Sequence, residues 1–428
     1  MQVSTPRGKG SLAQWLAWQE AAHPKSWDLG LTRIGQVWQA LGAPKIAEHI
    51  VSVAGTNGKG SCVCWTEAMC LAHGISVASF SSPHLLDYRE RIRFRGKQVT
   101  EAELCAAFDA IDEARGAVSL SYFEWSALAA FYLMAKCPPQ VAVLEVGLGG
   151  RLDAVNLQTA DATIFTRIGL DHQDWLGNTI EEIAQEKAGI MRDNQRVVFA
   201  DKHPPATLLS AAQHHQAKVW HFGKDLTVAL HQTTFELHLP QASFELPQPT
   251  QMRGEHQYGH LATVAAVLAQ WFPLTTSAMT QVMKEAKNPA RLMIKEGQPR
   301  YIVDVAHNND SAEILANFLV SVQRENEHFH MVCGMLKDKD HQAVFRHLAN
   351  FPNSWYLCSL DGERGTASEV LRVQALQAGI PEQTIRCFNS VCEAESAARK
   401  TAKPNESIVI MGSFVTVGEI LKQWSSNE

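Results

Sequence analysis

Seven consecutive residues, Gly55-Thr56-Asn57-Gly58-Lys59-Gly60-Ser61, combine the parts from which a phosphate site is made. Three glycines let the backbone approach an anion, Lys59 brings a point charge, and Thr56 or Ser61 offers a hydroxyl to phosphate or Mg²⁺. An apolar run precedes them and a helical pattern over 62–72 follows. Strand, glycine loop and helix together aim backbone N–H groups and a helix N-terminus at phosphate oxygens. The spacing is not that of the ordinary P-loop, which has a glycine five residues before the Gly-Lys pair, where this chain has Val53. A glycine-rich turn without a ligand is the alternative reading.

Carboxylates and imidazoles recur where other apolar runs end. Val141-Ala142-Val143-Leu144 runs into Glu145, which places a carboxylate at the end of a buried strand, where ligands of open α/β sheets collect. A buried lone carboxylate is costly unless a metal or hydrogen bonds compensate it, so Glu145 is either a Mg²⁺ ligand or a salt-bridged structural glutamate. Asp171, His172 and Asp174 follow a run at 162–166, although Asp171 could cap a turn and a lone His is often structural. Ser81, Ser82, His84, Arg89, Arg91 and Arg93 follow a strand at 75–80, suited to an anionic ligand or metal, or else forming a solvated charged loop. Asp304, His307 and Asn308 close a further strand.

The elements that must hold these residues follow from periodicity. Helical spacing marks 11–22 and 31–41, the second stopped by Gly42, with Asp28 as an N-cap candidate. Thr100 with Glu103 opens another helix as a capping box, and Ser121-Tyr122-Phe123-Glu124 leads one through Met134. A further helix covers 180–190. Weak alternation over 228–237 suggests antiparallel strands between domains, and Gly254-Glu255-His256-Gln257 opens a helix through Leu268. Asn288-Pro289-Ala290-Arg291 marks a boundary, giving domains 1–288 and 289–428. Beyond it, strands at 301–305, 330–333, 355–357 and 408–411, each followed by a helical pattern, imply a mostly parallel sheet and a second α/β domain. The last strand ends in Gly412-Ser413-Phe414, a small turn that could meet a ligand.

With 428 residues there is room for two domains and ample core. A net charge of −6 argues against a nucleic-acid partner. No apolar run approaches the ~20 residues that span a bilayer, and 1–10 has no apolar core behind its basic residues, so neither a membrane segment nor a signal peptide is expected. Nine cysteines lack a disulfide or zinc framework, Cys62 and Cys64 included, and read as free thiols of a reducing cytoplasm.

Six segments, in order, resemble one family. They are 53–61; Ser82-Pro83-His84-Leu85 with Arg89-Glu90-Arg91-Ile92; Glu145-Val146-Gly147-Leu148-Gly149-Gly150-Arg151-Leu152-Asp153; Leu170-Asp171-His172; Glu186-Lys187-Ala188-Gly189-Ile190; and Asp304-Val305-Ala306-His307-Asn308. The chain resembles the folylpolyglutamate synthases, within the Mur-ligase-like ATP-dependent amide ligases, and among them the bifunctional bacterial type. The resemblance implies an α/β protein. Its P-loop (Mur-ligase-like) N-terminal domain has a central mostly parallel sheet, and a smaller Rossmann-like α/β C-terminal domain follows. A cleft between the two would serve ATP, folate and glutamate.

By motif, the resemblance gives Thr56, Asn57, Gly58, Lys59, Gly60 and Ser61 to ATP, completed by Arg291 and Asp304. Ser82, Glu145, His172 and Lys187, the last carbamylated by CO₂, would hold Mg²⁺. Asp28-Leu29-Gly30, Ser121-Tyr122-Phe123-Glu124 and Leu152-Asp153-Ala154 would line the pterin site. His307 would lie near the reacting phosphate, with His307 and Ser413 toward glutamate. From the residues alone, Lys187 among Glu181, Glu182 and Glu186 reads as a lysine on a charged helix face. Two positions depart from the family pattern: Ala290 stands in Pro289-Ala290-Arg291 where Pro-Gly-Arg is usual, and His260 stands where an ATP-contacting asparagine is usual.

The implied activity joins L-glutamate to dihydropteroate, and to tetrahydrofolate and its polyglutamates, through an acyl phosphate, in a cytoplasmic monomer. Lys59, Lys187 and His307 would be catalytic, Lys59 by supplying positive charge to the anionic first step. Two rivals stand beside it: a cell-wall Mur ligase acting on a UDP-linked peptide precursor, for which the chain is short, and a non-catalytic nucleotide-binding module.

Overall fold

The computed structural model describes residues 5–23, 28–351 and 353–425. Ser26 and Trp27, read from sequence as leading into the second helix, lie outside the described residues, as do the first four residues. The chain forms two compact units. The first takes residues up to Ile168, then Trp175–Thr250 and His256–Ala286; the second takes Gly169–Asp174, Gln251–Glu255 and the described chain from Lys287 on.

The first unit is built on strands β1 (His49–Ala54), β2 (Val77–Phe80), β3 (Ile92–Phe94), β4 (Lys97–Gln98), β5 (Val141–Glu145), β6 (Ala162–Phe165), β7 (Arg196–Phe199) and β8 (Lys218–His221). They lie in the order β4-β3-β2-β5-β1-β6-β7-β8. From β2 to β8 neighbouring strands are parallel, while β3 runs antiparallel to β2 and β4 antiparallel to β3. β1, β5 and β6 are almost wholly buried, as largely apolar central strands of a parallel sheet are. The chain passes from β5 to β6 across β1, so the C-terminal ends of three central strands gather at this crossover.

One face packs on an aromatic core in which Trp15 lies 5.7 Å from both Phe108 and Trp125. The helix Leu12–Ala22 starts at Ser11 with a capping box, and Thr100–Glu103 forms the expected second box. Asp28, however, does not cap the helix Thr32–Ala40; Leu31 stands at its N-cap with no side-chain bond, and Asp28 pairs with Arg33 instead. Strands β9 (Thr227–Leu230), β10 (Thr234–His238) and β11 (Ser243–Pro247) form a separate antiparallel sheet within this unit, so the alternation expected between domains belongs to the first.

The second unit holds β12 (Met293–Lys295), β13 (Arg300–Val303), β14 (Phe329–Cys333), β15 (Asn353–Cys358), β16 (Ile385–Phe388) and β17 (Ser407–Met411), in the order β12-β13-β17-β14-β15-β16. All pairs are parallel except the edge strand β12. β12 and β16 are additions to the four strands read from sequence. Arg300 on β13 donates to Ser407 Oγ on β17 at 2.6 Å and forms a buried ion pair with Glu327 at 2.8 Å. Among the described residues no helix is long and apolar enough to cross a membrane.

Candidate active site

The glycine loop leaves the C-terminal end of β1, and the helix after it begins at Lys59, three residues before the expected start. Gly58 is the N-cap with φ +99°, a conformation that L side chains avoid. Its approach to His260 also excludes a side chain: a Cβ on Gly58 would lie 2.4 Å from His260 Nε2. A Cβ on Gly55 would lie 1.8 Å from Thr166 Oγ1. The N–H groups of Thr56 and Asn57 donate to the Arg167 carbonyl at 2.8 and 3.4 Å, which pins the rising half of the loop to the chain leaving β6. Lys59 Nζ donates to the carbonyls of Gly55 and Thr56 at 3.1 and 3.2 Å, holding the ammonium over the loop. Lys59, Gly60 and Ser61 occupy the first helical turn, whose N–H groups have no acceptor within the helix. A helix end of this kind suits an anion.

Gln257, 3% exposed, supports this turn from the helix His256–Leu268. Its Nε2 donates to Ser61 Oγ at 3.2 Å and its Oε1 accepts from Trp65 Nε1 at 3.1 Å. Because the indole can only donate, that bond fixes which end of the amide faces Ser61.

Glu145 is the last residue of β5 and is buried. Its Oε2 accepts from the backbone N–H of Ser82 at 3.3 Å and would lie 3.8 Å from a Cβ on Gly60. Ser82, Glu145 and the glycine loop are thus brought together. Burial, then the Glu145 charge, pushes the nearby Cys62 thiol well above its ordinary range.

Lys187 is buried near the C-terminal end of the helix Ile180–Ala188 rather than lying on its charged face. Gly149-Gly150-Arg151 packs against that end: a Cβ on Gly150 would lie 2.9 Å from Lys187 Cα, Arg151 N–H donates to Glu186 O, and Arg151 pairs with the Glu186 carboxylate at 2.9 Å. His172, the remaining residue of the expected metal set, lies in the second unit with a left-handed φ of +52°. Among the described residues no three His, Cys, Asp or Glu side chains gather as a metal centre. The expected set supplies only Glu145 and His172 of those types, beside a hydroxyl and a lysine. A buried carboxylate oxygen beside a glycine loop suits a hard divalent cation.

The three segments expected around a pterin are connected. Gly30 N–H donates to Leu152 O at 3.2 Å. Ser121 and Glu124 form the capping box of the helix Tyr122–Lys136, and Glu124 faces Arg33, which also holds Asp28. A Cβ on Gly147 would lie 2.5 Å from Phe123 Cζ, so Phe123 covers the chain just after Glu145. Asp153 caps the short helix Ala154–Leu157 and accepts from Leu148 and Val155 N–H groups. Burial raises its carboxyl to about 6, against the pull of those N–H groups and the Lys187 charge.

The three arginines at 89–93 neither form a solvated loop nor stand ready for an anion. Arg89 pairs with Asp87 at 2.7 Å and Arg93 with Glu67 at 2.5 Å. Arg91 donates from Nε to His84 Nδ1 at 3.0 Å and lies over the Tyr88 and Tyr122 rings.

In the second unit, Asp304 follows β13 and accepts from Leu292 and Ala306 N–H groups; burial raises its carboxyl, and the Arg291 charge opposes the rise. Arg291 lies over the Phe414 ring at 5.3 Å. His307 Nδ1 contacts Val305 O, and its Nε2 is 3.6 Å from Asp171. Asp171 accepts from Lys339 at 2.6 Å and from Asn308 at 3.2 Å. Burial would raise the Asp171 carboxyl, but the facing His307 and the Lys339 ammonium hold it well below the ordinary range. Ser413 is buried, with its hydroxyl on Thr416 Oγ1 and N–H, so it starts the last helix. Arg33, Gln257 and Lys339 were not singled out from sequence. Only Gln257 carried a local signal, at the helix start that follows Gly254.

Residues 117–270 match the Mur ligase middle domain, and 290–414 match the Mur ligase, glutamate ligase domain. The chain is 36% identical over 421 residues to the dihydrofolate synthase/folylpolyglutamate synthase of Escherichia coli (strain K12), covering 98% of this chain and 96% of that one. The solved structure of E. coli FolC in complex with DHPP and ADP superposes with a TM-score of 0.92 at 34% identity, covering 99% of this chain and all of that one. A bifunctional folylpolyglutamate synthase/dihydrofolate synthase with Mn, AMPPNP and L-glutamate bound gives 0.90 at 34% identity, with the same coverage.

Proposed function

This chain belongs to the dihydrofolate synthase/folylpolyglutamate synthase family and is an ATP-dependent ligase, and from that premise we propose that it joins L-glutamate to dihydropteroate and to tetrahydrofolate and its polyglutamates. The observation that carries this reading is the meeting of the Gly55–Ser61 loop with Glu145 and Ser82 at the ends of β1 and β5.

The substrate carboxylate attacks the γ-phosphorus of ATP, the bond to the bridging oxygen breaks, and ADP leaves behind an acyl phosphate. The glutamate amine then attacks the acyl carbon. The tetrahedral adduct expels phosphate, and the amine's proton is released. Two anions meet in the first step, so fixed positive charge and aligned N–H groups count for more than an acid or base. Lys59 and the first-turn N–H groups of the following helix supply them, with Thr56, Asn57, Gly58, Gly60, Ser61 and His260 shaping the nucleotide contact. From the second unit, Arg291 and Asp304 are assigned to ATP, His307 to the reacting phosphate, and His307 with Ser413 to glutamate.

A divalent cation accompanies the nucleotide, and we assign Mg²⁺, held by Ser82, Glu145, His172 and a carbamylated Lys187. When bound, it would neutralise phosphate charge. Carbamylation would turn the buried Lys187 side chain into an anionic oxygen ligand. Asp28–Gly30, Ser121–Glu124 and Leu152–Ala154 are assigned to the pterin. We also assign residues 1–288 to ATP and pterin binding and 289–428 to glutamate and part of ATP. A cytoplasmic monomer completes the reading.

The test is phosphate release with ATP, Mg²⁺ and each acceptor, with and without glutamate, followed by mass spectrometry of the pterin. Glutamate-dependent release with a product heavier by one glutamyl unit is expected for both acceptors. Release without glutamate, or from UDP-linked precursors alone, would overturn it.

A further inference from the structure

We propose that Arg33 is a positioning residue for the carboxyl-bearing acceptor, bridging the 28–30 segment to the start of the helix Tyr122–Lys136; this rests on the pterin assignment of the preceding subsection.

The geometry is that of one fork serving two strands of chain. Arg33 Nη2 donates to Asp28 O at 2.8 Å, and Nη1 pairs with Asp28 Oδ2 at 2.9 Å. Nη2 also reaches both oxygens of Glu124, at 3.2 and 3.3 Å. Glu124 is 3% exposed, and its Oε2 accepts from Ser121 N–H at 2.7 Å. The same carboxylate thus closes the helix start and receives Arg33. On its other side the 28–30 segment is held by Gly30 N–H to Leu152 O. Arg33 therefore completes a chain of contacts, 121–124 to 28–30 to 152–154, through all three assigned segments.

A planar guanidinium can hold a carbonyl and two carboxylates at fixed angles, which the point charge of a lysine cannot. Without it, Glu124 would keep a buried negative charge with its cation removed. The helix start and the 28–30 segment would then be free to part, and the acceptor would lose its register.

The test varies dihydropteroate at saturating ATP and glutamate, then varies ATP at saturating dihydropteroate. For R33M the KM for dihydropteroate should rise about ten- to a hundredfold, as misplacement of a binding surface does, with the KM for ATP within about twofold. R33K should fall between R33M and the parent. In an E124Q background the penalty of R33M should shrink, because the charge it strands is gone. An unchanged dihydropteroate KM in R33M overturns the proposal, as does an equal rise in both KM values. Should R33M fail to fold, parental KM values in both R33K and E124Q overturn it. A parent chain that makes no glutamylated pterin defeats the preceding reading instead, whereas an active parent beside an unaffected R33M defeats only this one.

Discussion

Gly58 and His260 approach so closely that a single added carbon on the glycine would lie 2.4 Å from the imidazole Nε2. The N-cap of the helix Lys59–Ala72, at a φ of +99°, is therefore shaped by a residue far along the chain.

Gly58→Ala should raise the KM for ATP sharply and cost about 1–2 kcal/mol from backbone conformation alone. Replacing the ring by a smaller amide as well, in Gly58→Ala/His260→Asn, should recover part of the nucleotide affinity, since the clash is relieved while a polar side chain stays beside the nucleotide. Titration of each variant with ADP measures this. Equal affinities for the single and double variants would show that the ring does not matter.

Lys187→Ala should lose about 10²–10³-fold in kcat, the scale of removing one charge-stabilising group. Its thermal midpoint should stay close to the parent's, because alanine suits the helix Ile180–Ala188 in which residue 187 lies. Intact-protein mass spectrometry under bicarbonate should show the added CO₂ on the parent and not on the variant. Near-parental turnover would remove the carbamate from the mechanism.

Lys339→Met should destabilise the second unit by about 3 kcal/mol, because Asp171 would keep a buried charge without its ammonium. Asp171→Asn should cost a similar amount for the opposite reason. The double variant should cost less than the two summed, as judged from urea midpoints.

His84 gives a pH signature. Burial, then the Arg91 charge, pulls its imidazole down to about 4. The unfolded chain therefore takes up a proton near the ordinary 6.5 while the folded chain resists. This contribution to stability is complete above about 6.5 and is lost as pH falls toward 4. Urea midpoints of the parent and His84→Gln between about pH 7 and about pH 5 should show a shallower slope for the variant.

What could be read from the sequence was mostly local. Ser121 with Glu124 and Thr100 with Glu103 are visible as capping boxes because both partners sit within one helical turn. Glu145 is visible because an apolar strand ends in a carboxylate. The helix start at Lys59 lies ahead of its sequence signal because glycines at its N-cap and second position lower the helix propensity there. The edge strands β12 and β16 have no such signal, because partly exposed residues over three or four positions carry no period. Arg33 meeting Glu124, and Lys339 meeting Asp171, join residues 91 and 168 positions apart, and only the fold brings those together.

The two-residue strand β4 has a consequence for the protein's solubility. A parallel sheet of this width would otherwise end in a row of unmet amide and carbonyl groups that could template the addition of a foreign strand. Lys97 and Gln98, both exposed, close that flank with a rung too short to extend and with a charge at its tip. Crowded chains should therefore find no foothold along this margin for the ordered aggregation that long bare strands invite.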